Sequence, residues 1–158
     1  LTTQIISRLR KHFGDRVGVY HSRYSGNERV EVWNQVLGFN TSPAQYSDRS
    51  QIVLGARSAL FLPFKDLGLI IADEEHDTGF KQDDPAPRYH GRDTAIVLAK
   101  MHKAKTLLGS ATPSIESYYN AMNERYGLVK IAERHGGMQM PEIIIADIGE
   151  ARKKKQMK

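Results

Sequence analysis

Several short runs in this chain carry consecutive apolar residues rather than apolar residues at every second position: "QIVLG" (51–55), "LGLIIAD" (67–73), "AKTLLGS" (104–110) and "EIIIADI" (142–148). A strand with one wet face alternates in polarity, so a strand apolar throughout needs cover on both faces. Between and before these runs lie segments with helical spacing. In "TTQIISRLRKHFG", Ile5, Ile6, Leu9 and Phe13 recur at that spacing, with a Thr to cap the start and Gly14 to end it. "SGNERVEVWNQVLG" carries a capping box, Ser25 with Glu28, a stripe of Val30, Trp33 and Leu37, and a stop at Gly38. "GRDTAIVLAKMHK" sets Ala95, Ile96 and Ala99 on one side, and "PSIESYYNAMNERYG" has Pro113 near its first turn. "RVGVYH" and "LVKIAE" complete the predicted strands. Alternating strands and helices with wholly apolar strands predict an α/β fold, a parallel sheet with helices on both faces. Ligands of such folds sit beyond the carboxyl ends of the strands.

The length of 158 residues suits one domain with a sizeable core. A hydrophobic share of 40% with 26% charged residues excludes a disordered chain. No run is long enough to span a membrane, and no signal segment opens the sequence. With no cysteine, the expected setting is reducing and cytoplasmic. The net charge of +5 invites a nucleic-acid reading, but it is localised. The tail "ARKKKQMK" holds Arg152, Lys153, Lys154, Lys155 and Lys158; without these, 18 basic residues face 18 acidic ones. A neutral body with a basic tail fits a solvated terminus or linker at 148–158. The loop "FNTSPAQYSDRS" (39–50) has no periodicity and receives no role.

The strand "LGLIIAD" runs into Asp73, Glu74, Glu75, His76 and Asp77. Four carboxylates this close repel one another unless a positive partner sits among them. An apolar strand ending in Asp-Glu is the arrangement a nucleoside-triphosphate motor uses: the Asp holds Mg2+ through its water shell, and the neighbouring carboxylate orients the attacking water. Asp73 is therefore the candidate magnesium residue and Glu74 the candidate water-activating one. Taken alone, the same pattern fits an exposed acidic turn after a core strand. A carboxylate–histidine metal site using His76 and His90 is a further reading, without HExxH or comparable ligand spacing. The motor reading also lacks a phosphate cradle, since the chain has no Gly-Lys pair and so no G-x-x-x-x-G-K-[ST].

Four stretches together, "LTTQIISRLRKHFG", "GARSALFLPFKDLGLIIADEEHD", "KQ…RYHGRD" and "LLGSATPSIES", resemble in order and spacing the PriA (primosomal protein N′) family. These are bacterial replication-restart DNA helicases of superfamily 2. The resemblance runs from Leu1 to about Asp147 and implies a partial first motor lobe, motifs Ia to III, at 1–147. That lobe is a RecA-like parallel sheet, here without the Walker A strand. It further implies ATP and Mg2+ as cofactors of the intact protein and zinc outside this chain, with none tightly bound here.

Carried over by resemblance, Asp73, Glu74, Glu75 and His76 match the catalytic box of motif II, with Asp73 as the Mg2+ residue. Gly109, Ser110, Ala111 and Thr112 match motif III, which couples the ATP state to DNA grip. Thr2, Thr3 and Gln4 match motif Ia, and Arg57 and Ser58 in "ARSALF" match motif Ib, both contacting the DNA backbone. The family usually has Thr where this chain has Ala56. The stretch 79–93, "GFKQDDPAPRYHGRD", matches a loop that senses single-stranded DNA, and DNA contacts there are expected from Phe80, Lys81, Arg88, Tyr89, His90 and Arg92.

The implied function is part of an ATP-dependent helicase acting at stalled forks, with forked and single-stranded DNA and other primosome proteins as partners and no membrane. The isolated chain is expected to be inactive. The alternative is a non-catalytic module for single-stranded DNA or protein interaction. Since the motif III strand lies beside the Walker A strand in this fold family, two strands are expected to lack a partner, with self-association or a rearranged sheet as the result.

Overall fold

The computed structural model describes residues 3–38 and 51–132. The 39–50 loop, Thr2, the expected strand at 142–148 and the basic tail lie outside the described residues. Two compact units divide between Tyr119 and Asn120.

The first unit opens with helix α1 (Thr3–Phe13), then strand β1 (Val17–Tyr20), helix α2 (Gly26–Leu37) and strand β2 (Ile52–Gly55). β1 and β2 pair in parallel, with Val17 opposite Ile52 and Tyr20 opposite Gly55. Val17, Gly18 and Val19 are all buried, so both faces of β1 are covered, as its apolar sequence requires. The α2 box forms as predicted. The Ser25 N–H and Oγ donate to Glu28 Oε2 at 2.7 and 2.8 Å, and the Glu28 N–H donates back to Ser25 Oγ at 3.3 Å. The Ser25 bonds hold the Glu28 carboxyl below its ordinary range. The helix ends at Gly38, left-handed at φ 76. β2 then turns into a 3-10 segment, Arg57–Phe61, at a point only glycine fits: a Cβ on Gly55 would lie 2.2 Å from that of Ala59.

Strand β3 (Leu69–Asp73) pairs in parallel with β6 (Lys105–Gly109), from Leu69 opposite Lys105 to Asp73 opposite Gly109. Between them come a 3-10 turn (Thr78–Phe80), a small antiparallel ladder of β4 (Lys81–Gln82) with β5 (Tyr89–His90), and helix α3 (Gly91–Met101). Ala95 and Ala99 of α3 are buried, and α3 packs on both β3 and β6. Small side chains let the helix approach the ladder closely. No element among the described residues covers the opposite face of the ladder: Leu69, Ile71 and Leu107 are exposed, Ile71 by 61%.

The architecture is α/β with parallel strands, in keeping with part of a RecA-like domain. Three expectations need correction. The parallel strands form two separate two-stranded ladders among the described residues rather than one sheet, so helices cover only one face of β3–β6. In α2 the buried residue is Val32, whereas Val30 is 58% exposed and Trp33 is also exposed; in α1 no residue is fully buried and Phe13 is exposed. With few covering elements, the helical stripes exceed the surface available to bury them. Third, "LVKIAE" forms no strand over its described residues.

That last segment belongs to the second unit. Helix α4 (Ile115–Met122) ends earlier than predicted, where the N–H groups of Arg125 and Tyr126 both reach the Asn120 carbonyl. Leu128–Ala132 follow without a ladder, and Ile131 is 89% exposed. An apolar run reports a capacity for burial, and a strand also needs a partner to take its backbone hydrogen bonds.

Candidate functional site

Because β3 and β6 are adjacent and parallel with Asp73 opposite Gly109, the turns after them leave the sheet side by side. The acidic turn 73–77 thus meets the "GSATPS" segment at the carboxyl edge, where ligands of such sheets bind. The Glu75 N–H donates to the Gly109 carbonyl at 3.0 Å, and the Asp77 N–H closes the turn on the Glu74 carbonyl at 2.8 Å. Glu74 has φ 51, a left-handed conformation that costs a non-glycine residue about 1–2 kcal/mol. Backbone held there marks a turn determined by its surroundings.

The four carboxylates divide by role. Glu75 turns inward and is 1% exposed. Its Oε1 accepts the Ser114 N–H at 2.6 Å, and its Oε2 accepts from Arg92 Nη1 (3.0 Å), Ser114 Oγ (3.0 Å) and Ser117 Oγ (2.8 Å). Desolvation is the largest single influence on this carboxyl and pushes its pKa up. The bonds from the Ser114 N–H, Ser117, Arg92 and Ser114 Oγ together outweigh it and hold the group below the ordinary range. Burial likewise pushes Arg92 down, but Asp93 and then Glu75 leave it raised. Asp77 accepts the Gly79 N–H at 2.6 Å and caps the 78–80 turn. Asp73 and Glu74 remain exposed. Asp73 Oδ1 accepts only the Glu74 N–H, at 3.1 Å, among the described residues. Glu74 Oε2 lies 3.6 Å from His76 Nδ1.

His76 joins the two turns. Its Nδ1 is 2.7 Å from Ser110 Oγ and its Nε2 is 3.3 Å from Thr112 Oγ1, while the Thr112 N–H donates to Ser110 Oγ at 3.0 Å. The motif II and motif III candidates, far apart in sequence, therefore form one hydrogen-bonded unit.

The candidate DNA residues separate into two groups. Arg57 donates from Nη1 to the Lys81 carbonyl, Phe80 stacks on His90 at 6.4 Å between centroids, and Tyr89 meets Phe61 edge-on at 5.1 Å. Arg92, half-buried, pairs with Glu75 at 3.0 Å and donates from Nε to Asp93 at 2.9 Å. These side chains tie the 78–90 loop to the 57–61 turn and to the acidic turn. His90 Nδ1 is buried without a hydrogen bond, 3.8 Å from Asp93 Oδ1. Thr3, Gln4, Ser58, Lys81 and Arg88 are exposed. Lys81 pairs with Asp83 at 3.1 Å, and Arg88 has no side-chain partner among the described residues. Thr3, Gln4 and Ser58 make no hydrogen bond to the acidic turn among those residues.

Sequence reasoning missed Ser114, Ser117 and Phe61 as parts of the site. Ser114 precedes α4 and is legible as a helix cap in "PSIES", but its partner, 39 residues earlier, is visible only in the fold. The short β4–β5 ladder was also hidden, since two-residue strands carry no periodicity.

The donor set fits a hydrated magnesium ion. No group of three or more His, Asp or Glu side chains converges among the described residues, so no all-protein metal cage exists there. Mg2+ keeps most of its waters and takes one or two carboxylates plus phosphate oxygens. Asp73, exposed, fixed at a strand end and carrying one weak acceptor bond, matches that requirement.

No protein-family model matches this chain. Curated relatives do. It is 40% identical over 148 residues to replication restart protein PriA of Chlamydia trachomatis, covering 94% of this chain and 18% of that protein. PriA of Bacillus subtilis is 39% identical over 150 residues, 95% of this chain and 17% of that protein. PriA of Rickettsia felis is 42% identical over 148 residues, 94% and 21%. The chain spans about a fifth of the length of the curated relatives it matches.

Proposed function

Because nearly the whole chain is homologous to a segment of replication restart protein PriA, we propose that it forms part of an ATP-dependent DNA helicase acting in replication restart. The observation that carries this reading is the register of β3 with β6, which sets the Asp-Glu strand end beside the Ser110–Thr112 turn and joins them through His76. Asp73 is the residue to hold Mg2+, and the ion, bound with ATP, neutralises charge on the outer phosphates. Glu74, exposed at the strand end with Oε2 3.6 Å from His76 Nδ1, is the carboxylate to orient a water there and accept its proton. His76, Ser110 and Thr112 form a polar contact that can exist in two arrangements, which suits a coupling element. Exposed Arg88, Lys81, Ser58, Thr3 and Gln4 supply phosphate contacts along single-stranded DNA. Arg57, Phe80, Tyr89, His90 and Arg92 hold the loop from which Arg88 and Lys81 project.

No helix among the described residues is long and apolar enough to cross a membrane. The reading includes a phosphate cradle contributed by sequence beyond this chain, so the pure chain turns over no ATP. Exchanging the corresponding segment of the Bacillus subtilis relative for this chain tests the assignment. The chimera is expected to hydrolyse ATP in the presence of DNA, and Glu74→Gln is expected to lower turnover at least about 100-fold while nucleotide still binds. Undiminished turnover by the Glu74→Gln chimera, or turnover by the pure chain, overturns it.

A further inference from the structure

Ser114 is the cap of α4: its Oγ accepts the Ser117 N–H at 3.2 Å. In a capping box, a carboxylate three residues into the helix accepts the N–H of the cap residue. Here that position is Ser117, which has no carboxylate, and Glu75 of the acidic turn accepts the Ser114 N–H instead, at 2.6 Å. The box is closed by a residue from another element. The Glu75 charge also lies at the positive end of α4.

Glu75 holds the 110–114 segment at both ends. Its backbone N–H bonds the Gly109 carbonyl where the segment begins, and its side chain bonds Ser114 where the segment ends. Within that span lie the two hydroxyls that His76 reaches, Ser110 and Thr112. Arg92 adds a third segment, since its Nη1 donates both to Glu75 Oε2 and to Ser114 Oγ, at 3.0 and 2.7 Å. Ser114 Oγ therefore accepts two bonds and donates one, which uses its full capacity. Glu75 is the one buried charged residue among those described, and both of its oxygens accept from protein donors, Oε1 from one and Oε2 from three.

We propose that Glu75 is a positioning residue rather than a nucleotide ligand: it closes the capping box of α4 and thereby sets Ser110 and Thr112 against His76, with Arg92 registering the 78–90 loop to the same point. The consequence for turnover rests on the nucleotide reading of Asp73 and Glu74. The geometry does not, and the test is chosen accordingly.

The imidazole nitrogen resonances of His76 and the amide exchange of Ser114 are measured by NMR on the full chain without nucleotide. His76→Gln assigns the ring signals. Glu75→Gln and Ser117→Ala are expected to shift the His76 ring resonances and to speed exchange of the Ser114 amide by about tenfold or more, the loss of one charge-assisted bond. Val19→Ala, buried in the other parallel ladder, lowers the thermal midpoint and leaves both signals in place. Should Glu75→Gln not fold, Ser117→Ala removes a single one of the bonds and carries the same expectation. Unmoved His76 and Ser114 signals in the variants that fold overturn the positioning role. Because no nucleotide is present, that result leaves the reading of Asp73 and Glu74 standing, just as an active Glu74→Gln chimera would leave the capping geometry standing.

Discussion

At the scale of single residues, the acidic turn sorts four carboxylates by what each can reach. Glu75 and Asp77 are spent on backbone and side-chain donors, and Asp73 and Glu74 face outward. The part-buried Glu75–Arg92 contact has a measurable acid signature. With its native pKa held low, Glu75 binds fewer protons than in the unfolded chain, so its contribution is complete above the ordinary carboxylate range. It is lost as pH falls through the lowered native value. Glu75→Gln removes the charge that Arg92, Ser114 and Ser117 donate to, while Asp93 stays on Arg92 Nε, and is expected to cost about 1–3 kcal/mol at neutral pH. Denaturant titrations over a pH series check the sign: the gap between wild type and variant narrows on acidification, and a constant gap contradicts it. The sequence revealed the outward pair through the strand that precedes it. The inward turn of Glu75 depends on Ser114 and Ser117, which only the β3–β6 pairing brings near.

At the scale of elements, the legible parts were those whose signal is local. Helices α1 to α3 and the four longer strands of the first unit lie where periodicity put them, α4 ends earlier, and the Ser25–Glu28 box closes as its spacing demands. The β4–β5 ladder was too short to carry a period, and the other misses share one cause, an apolar pattern that states how much surface an element can bury but not whether a partner is present. Val30, Trp33 and the 128–132 run are exposed for that reason. The α3–ladder contact shows the opposite case, small residues with a tight partner. Ala99 is 1% exposed. Ala99→Leu is expected to destabilise by about 1–3 kcal/mol through overpacking, read as a lower denaturant midpoint at unchanged slope.

At the scale of the whole chain, the homology and the open sheet describe the same object. Among the described residues β3 and β6 pair only with each other, so both outer edges of the ladder take no strand there, and Leu69, Ile71 and Leu107 are exposed on one face. Such a surface favours pairing with a second copy. Sedimentation is expected to find concentration-dependent self-association of the pure chain. Ile71→Lys should reduce it without loss of folded structure, whereas an unchanged association constant would locate the contact elsewhere.

The proposed function makes Asp73 and Glu74 one half of a nucleotide site, with its phosphate cradle sought earlier in the same polypeptide. The most direct measurement is to sequence the gene immediately upstream of the codon for Leu1. An in-frame G-x-x-x-x-G-K-[ST] a short way upstream is the predicted result, and it supplies the missing half of the proposed nucleotide site. A start codon with no such motif contradicts the account, leaving the turn without nucleotide chemistry and the chain as a binding module.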